Sequence, residues 1–326
     1  MKIGMLGAAL ITPAAIIKPA ETEPDAVLQG IAARDPARAK SYAQKHSIQQ
    51  VFNTYDELVH SPEIDLVYNA LPISQHAEWT IKALQAGKHV LCEKPLAMNA
   101  AEAEGMLAAA KSSGARLIEA FHYRYHPAFE IFLDWASNKS IGDIRSIRAH
   151  FNIGLVDDGN NIRFDPKLGG GAMMDLGCYP ISWTLATMRS EPVECSAQAV
   201  LTAKGVDESM TAELRFASGA RAELSASMAE NLPPSCEIHV VGERGEVHFN
   251  NPLAPQYGST LTRTIDGQTG EATIDSSTTY ANQLTAVIRA LENGRPLPPE
   301  GDALLTQQRT LDAVYESAGL GHLRAM

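Results

Sequence analysis

Cysteine is scarce in this 326-residue chain, and long apolar runs are missing from it. The four cysteines, Cys92, Cys178, Cys195 and Cys236, lie far apart with no C-x-x-C pair, which argues against a disulfide framework or a zinc site. Scattered thiols of this kind suit a reducing cytoplasm, the compartment expected. No stretch reaches the roughly 18 uninterrupted apolar residues of a membrane helix, so no membrane partner is expected. Basic residues are the minority, 27 Lys and Arg against 38 Asp and Glu. The resulting formal charge of −11 repels phosphate backbones and anionic surfaces, and nucleic acid is not an expected partner. Repeats and low-complexity tracts are absent as well. What is present is ordinary for a soluble globular chain, 45% hydrophobic and 20% charged residues. At roughly 150 residues per domain, the length admits about two domains.

Along the first 120 or so residues, short β-rich runs alternate with helical patterns. Residues 2–6, 27–32, 66–69, 89–92 and 116–120 read as strands, and 35–46, 74–86 and 99–113 as helices. Asp35 and Ser74 stand where helix caps belong, and Gly87 and Gly114 where helices end. That alternation predicts an α/β class, a parallel doubly wound sheet covered on both faces. From about residue 144 the pattern changes to strands at 145–153, 195–201, 210–216, 221–228, 236–241 and 246–249, which suggest an open, mostly antiparallel sheet. Helical patterns at 173–188, 280–293 and 303–318 accompany it, the last after a proline-rich link from Arg295 to Pro299. The expected division is a nucleotide-binding domain over 1–121 and a second domain over 122–326 for substrate binding and oligomerisation, whose last helices return to the first.

The run Ile3 to Thr12 is a strand entering a glycine turn and then a helix. In a dinucleotide fold such a turn lets the backbone approach a pyrophosphate seated on the helix N-terminus. Aligned on Gly7, the fingerprint reads Gly7-x-Ala9-x-x-Thr12, so two of three glycines are replaced and the motif alone is weak. Gly7, Ala8, Ala9, Leu10 and Ile11 are the expected cofactor contacts here. At the end of the second strand, Arg34 has the fork that suits a 2′-phosphate, so NADP is expected over NAD. The alternative makes Asp35 the ribose ligand of NAD, but Asp35 already serves as a helix cap. The N-terminal run after Lys2 also looks like a secretory leader, although Pro13 and Lys18 interrupt it.

The segment Ala86 to Pro95, ending Cys92-Glu93-Lys94-Pro95, closely resembles the Glu-Lys-Pro signature of the glucose-fructose oxidoreductase, inositol dehydrogenase and rhizopine catabolism family, Gfo/Idh/MocA. The likeness continues through Asn69-Ala70-Leu71-Pro72-x-x-x-His76 and through Gly169-Gly170-Gly171 to Tyr179. It implies a pyridine-nucleotide oxidoreductase with an N-terminal Rossmann domain and a C-terminal α/β domain on an open sheet. It also implies a sugar, polyol or related hydroxy substrate held over the nicotinamide between the domains. Lys94 then takes the place of the family's catalytic lysine, and Pro95 that of a proline often in the cis form. Many polyol dehydrogenases of the family carry histidine where Tyr179 stands, with an aspartate three residues later. Here the residues are Tyr179 and Ser182, as in the tyrosine-using branch of glucose-fructose oxidoreductase, NADP-dependent xylose dehydrogenases and dimeric dihydrodiol dehydrogenase.

Oxidising an alcohol sends a hydride to the nicotinamide while a base removes the hydroxyl proton. A lysine ammonium near a tyrosine favours its phenolate, so Tyr179 is the expected acid/base with Lys94 orienting and tuning it. Asp175 stands four residues before Tyr179, the spacing of one helical face, and is expected to support substrate or Lys94. The resemblance implies that Asn69, Leu71, Pro72, His76, Glu93, Lys94, Arg124 and Arg163 join the expected cofactor contacts, and Lys94, Tyr123, Asp175 and Tyr179 the substrate contacts, with His122 also in reach. His122 and His126 have the spacing of a helical metal pair, but no third ligand is apparent and Pro127 disrupts the helix, so no metal is expected. The leading function is an NADP-dependent dehydrogenase of an aldose or related diol. The alternatives are a sugar-sugar oxidoreductase that keeps its NADP(H), a non-catalytic NADP-binding regulator and a secreted sugar-binding protein. An open sheet with an apolar face must be covered, and the resemblance implies that a second subunit covers it, so a homodimer, or alternatively a tetramer, is expected.

Overall fold

The N-terminal strands are apolar on both faces, and such strands are stable only with cover on both sides. In the computed structural model, which describes residues 1–298 and 300–324, they are β1 (Lys2–Leu6), β2 (Val27–Ala32), β3 (Gln50–Val51), β4 (Leu66–Asn69), β5 (His89–Cys92) and β6 (Leu117–Glu119). All pair in parallel in the order β3-β2-β1-β4-β5-β6. This is the doubly wound order, whose direction reverses between β1 and β4, and ligands bind at the strand ends beside such a reversal. Pro299, the end of the proline-rich link, lies outside the described residues.

The chain divides into two compact units, the first made of Met1–His122 with Tyr280–Leu305, the second of Tyr123–Thr279 with the chain from Thr306 on. In the first unit, Asp35 caps the helix Pro36–His46 through the Ala37 amide at 2.9 Å, and Asn99 caps Ala100–Ser113 through the Glu102 amide at 2.9 Å. Gly114 ends the latter helix at φ +72. Ser74 is not a cap as expected. It lies inside a 3₁₀ turn, Ile73–Gln75, because Pro72 starts the turn two residues earlier, and the helix His76–Gln85 begins without a side-chain cap. The returning segment is tied into this unit by Arg116, which donates to the Ala290 carbonyl at 2.6 Å and grips Glu300 with two bonds of 2.7 Å. Its core includes Phe52, Leu58, Ile64, Val67, Leu84, Val90, Met106 and Leu304.

The second unit is built on β7 (Ile144–Asn152), β8 (Pro192–Leu201), β9 (Asp207–Phe216), β10 (Arg221–Ser227), β11 (Ser235–Gly242), β12 (Gly245–Asn250), β13 (Thr260–Ile265) and β14 (Gln268–Glu271). Their order is β14-β13-β12-β11-β7-β10-β9-β8, antiparallel except for β7 with β10. β13 and β14 go unpredicted, since both are short and polar. Strict alternation buries one face: Met210, Leu214, Phe216, Leu224, Ile147, Val240, Val247 and Phe249 point inward, and the helix Cys178–Met188 packs on β7 and β10. The opposite face carries Arg148, Thr211, Glu213, Arg215, Arg221 and Glu223. The expected exposed apolar face is therefore corrected. The chain's own helix covers the apolar side, and the bare side is ionic.

Two helices widen into a π-helical turn, Pro13–Ile17 ahead of Lys18–Thr22 and Met173–Gly177 ahead of Cys178–Met188. Each lies shortly before a proline inside the helix, Pro19 or Pro180. A proline has no N–H to donate and its ring crowds the carbonyl a turn earlier, so the turn before it expands. At Pro180 the thiol of Cys178 approaches the Asp175 carbonyl at 3.7 Å.

Candidate active site

In the first unit the candidate residues gather at the carboxyl ends of β1, β2, β4 and β5. Gly7 leaves β1 at φ +88, donating its amide to the Ala32 carbonyl at 2.8 Å. A Cβ there would lie 3.2 Å from Leu71 Cδ2, so glycine suits both the left-handed backbone and the close approach. The turn that follows is held from below: Arg38 donates to the Ala8 carbonyl at 2.7 Å and Tyr42 to the Ala9 carbonyl at 3.2 Å. Neither is among the residues picked from the sequence, although their i, i+4 spacing after Arg34 is a visible signal. Leu10 stands 96% exposed at the tip of the turn with Ile11 partly exposed. Arg34 is exposed and has no carboxylate partner among the described residues.

An exposed cationic fork at the end of β2, an uncovered apolar tip and a glycine turn ahead of a helix fit a dinucleotide with an anionic ribose substituent. Bound there, such a cofactor would supply the hydride acceptor, and the turn from Gly7 to Ile11 with Arg34 would hold its phosphates.

Asn69, Leu71, Pro72 and His76 form the rim after β4. Asn69 is buried, donating to the His76 carbonyl at 3.2 Å and to Thr80 Oγ1 at 3.1 Å while accepting from the Leu71 amide at 3.3 Å. His76 is 1% exposed, with its ring nitrogens 2.8 Å from the Leu71 carbonyl and 3.0 Å from the Pro95 carbonyl. Burial lowers its pKa against the upward pull of those carbonyls. Its place is thus beneath the loops after β4 and β5, where it binds their backbones to each other.

The peptide between Lys94 and Pro95 is cis. Glu93 accepts from the buried Tyr68 hydroxyl at 2.6 Å, and the buried Glu119 accepts from the Leu96 amide at 2.9 Å. Two carboxylates thus hold the backbone turn that carries Lys94. Burial, and then the charge of Lys94, push the His122 pKa down to about 3, which keeps that imidazole neutral. The His122 ring lies 4.0 Å from the Tyr280 ring, centroid to centroid. Tyr68, Glu119 and Tyr280 are further residues that sequence reasoning misses, Tyr280 because it arrives from 158 residues beyond His122.

In the second unit, Asp175 and Tyr179 come from the widened turn and the helix after it. Asp175 pairs with Arg163 at 2.5 Å. Arg163 has its pKa raised by Asp175 first and, more weakly, by Tyr179, so the three groups form one cluster. The regular helical face expected for Asp175 and Tyr179 is replaced by the widened turn, yet both reach Arg163. The ring of Tyr179 lies among Phe151 at 5.7 Å, Tyr123 at 6.0 Å and Trp183 at 6.2 Å. Tyr123, expected to reach substrate, is instead fully buried with its hydroxyl donating to Ser182 Oγ at 2.7 Å. It supports the Tyr179 ring. Arg124 is half-buried, with its guanidinium 5.7 Å from the Phe129 ring. Among the described residues no His, Cys, Asp or Glu cluster is suited to a metal, and no helix is long and apolar enough to cross a membrane.

A family model described as the oxidoreductase family with an NAD-binding Rossmann fold, Gfo/Idh/MocA, matches residues 1–121. The model of that family's C-terminal domain matches residues 133–248. A D-xylose 1-dehydrogenase (NADP(+)) of Haloferax volcanii is 32% identical over 321 residues, 98% of this chain and 98% of that protein. A trans-1,2-dihydrobenzene-1,2-diol dehydrogenase of Xenopus tropicalis is 37% identical over 224 residues, 68% of this chain and 67% of that one. Among solved structures, a 3-ketoreductase from Actinomadura kijaniata in complex with NADP and TDP-benzene has a TM-score of 0.88 at 28% identity, over 97% of each chain.

Proposed function

We propose, because this chain belongs to the Gfo/Idh/MocA oxidoreductase family, that it is an NADP-dependent dehydrogenase of an aldose such as xylose or glucose, or of a related diol. The observation that carries the cofactor choice is Arg34, an exposed guanidinium at the end of β2 with no carboxylate partner among the described residues. The full-length likeness to an NADP(+)-dependent xylose dehydrogenase supports the substrate class.

In this reading Tyr179 removes the hydroxyl proton as the hydride leaves, and returns it in the reverse direction. Lys94 supplies the positive charge that favours the phenolate, while the neutral His122 adds no competing charge beside it. Asp175 and Arg163 orient the substrate hydroxyls as a pair. Gly7, Ala8, Ala9, Leu10, Ile11 and Arg34 hold the nucleotide, Asn69, Leu71, Pro72, Glu93 and Arg124 line its nicotinamide end, and His76 braces the loops. A second copy of the chain seats on the polar sheet face, where Arg148 pairs with Glu223 and Arg215 with Glu213 in each copy.

The test is mass spectrometry of any nucleotide released on denaturation, followed by absorbance of cofactor reduction over aldoses, polyols and trans-diols. NADP with turnover of an aldose or diol is expected. Bound nucleotide with no turnover would favour a regulator, and NAD with turnover would overturn the role of Arg34. Light scattering at micromolar concentration is expected to give a dimer mass.

A further inference from the structure

Three buried side chains with no part in the proposed chemistry converge on the segment that carries Asp175 and Tyr179. Asp207 opens β9 and is fully buried. Its Oδ2 accepts the Met173 backbone N–H at 2.6 Å, and its Oδ1 accepts the Tyr315 hydroxyl at 2.7 Å. Gly171 makes room for this arrangement. A Cβ on Gly171 would lie 2.1 Å from Asp207 Oδ1 and 2.7 Å from the Tyr315 hydroxyl, and its φ of +128 already disfavours a side chain. At the other end of the same segment, Gln307 donates from Nε2 to the Cys178 carbonyl at 2.9 Å.

A buried carboxylate is costly unless hydrogen-bonded, and this one sits where it is best tolerated, at the positive N-terminus of a helical run. The residue preceding the widened turn, Ala172, offers no side-chain cap. Asp207, 34 residues further along the chain, supplies that cap. The need for it follows from Pro180. A turn widened ahead of a proline lacks part of the regular backbone ladder that sets rotation and rise in an ordinary helix, so external contacts must set them. Asp207 and Tyr315 act at the first residue of the turn and Gln307 one residue past its end, with Asp175 between and Tyr179 next to Cys178.

We infer that Asp207 and Tyr315 form a buried latch that sets the rotation of the Met173–Gly177 turn, and are thereby positioning residues for Asp175 and Tyr179. The role in turnover rests on Tyr179 being the acid/base, but the latch itself does not.

Tyr315→Phe in the full chain removes one donor to Asp207, and Gly171→Ala independently pushes a methyl group into the carboxylate. Both are compared with the wild type by hydrogen exchange, by kcat and KM across pH, and by NADPH affinity. In each variant, amide exchange over residues 172–179 is expected to rise by about 10-fold, the loss of roughly one hydrogen bond, while peptides from β1 to β5 stay unchanged. The kcat is expected to fall by about 10- to 100-fold with a shifted pH limb, because small displacements of reacting groups are costly. KM and NADPH affinity are expected to change little. Wild-type exchange over 172–179 in both variants would overturn the latch. Faster exchange with unchanged kcat and pH limb would overturn the positioning role. A wild-type chain that turns over none of the aldoses or diols would break the reading of Tyr179, while the exchange result would still decide the latch.

Discussion

The two units treat charge at their candidate residues in opposite ways. In the first, Arg34 is exposed with no carboxylate partner among the described residues, and His122, near the charge of Lys94, is held neutral with a pKa of about 3. In the second, charge is paired, with Arg163 on Asp175 at 2.5 Å and Tyr179 close enough to raise Arg163 further. Open positive charge suits holding a polyanion, whereas a closed pair suits orienting neutral hydroxyls without attracting ions. A chain of net charge −11 can therefore still hold an anionic cofactor, because local potential and total charge are separate quantities.

The contrast is broken most severely at Tyr179. Tyr179→Phe is expected to lower kcat by about 1,000-fold, the order of a lost general base, with NADPH affinity measured by fluorescence titration unchanged. Lys94→Ala is expected to cost about 100-fold in kcat and, for substrate oxidation, to move the acidic limb of its pH profile upward. Arg34→Ala tests the open charge directly: the preference for NADP over NAD, as the ratio of kcat/KM, is expected to fall by about 10- to 100-fold, the worth of a lost bidentate phosphate contact. Arg163→Gln opens the closed pair and leaves Asp175 to repel the reacting oxygen, so KM for substrate is expected to rise by about 10-fold.

The last effect concerns stability, not turnover. The His122 pKa is lowered in the folded state from 6.5 to about 3, so between these values the unfolded chain binds the extra proton. Its contribution is therefore complete above about pH 6.5 and is lost as pH falls toward about 3. From about pH 7 to about pH 5 the loss is about 2 kcal/mol, and His122→Gln is expected to flatten that part of the melting-temperature profile.

Legibility differs between the units for a physical reason. β1, β2, β4 and β5 have the bounds expected from sequence, since strands buried on both faces are predominantly apolar runs. β13 and β14 escape notice because a sheet with one wet face leaves its outer strands polar, as in Gln268–Glu271. Ser74 misleads as a cap because Pro72 starts the turn earlier. Pro19 and Pro180 were visible, but that each opens a helix rather than ending it depends on what packs around it.

Cysteine scarcity, the glycine turn, Arg34, the Glu93-Lys94-Pro95 run and the Gly169 to Tyr179 run were all present in the linear chain. Cysteine scarcity excluded a disulfide framework, and the motifs determined the fold class and the family, because each motif reflects a local demand: a left-handed backbone, a strand end or a helix start. The tertiary structure alone decided that Tyr123 is a support, that His76 binds two loops together, that Arg163 is committed to Asp175, and that Asp207 caps a helix 34 residues before it. Those roles depend on which atoms meet across the fold, and burial, which removes water as the alternative partner, is what gives each meeting its consequence.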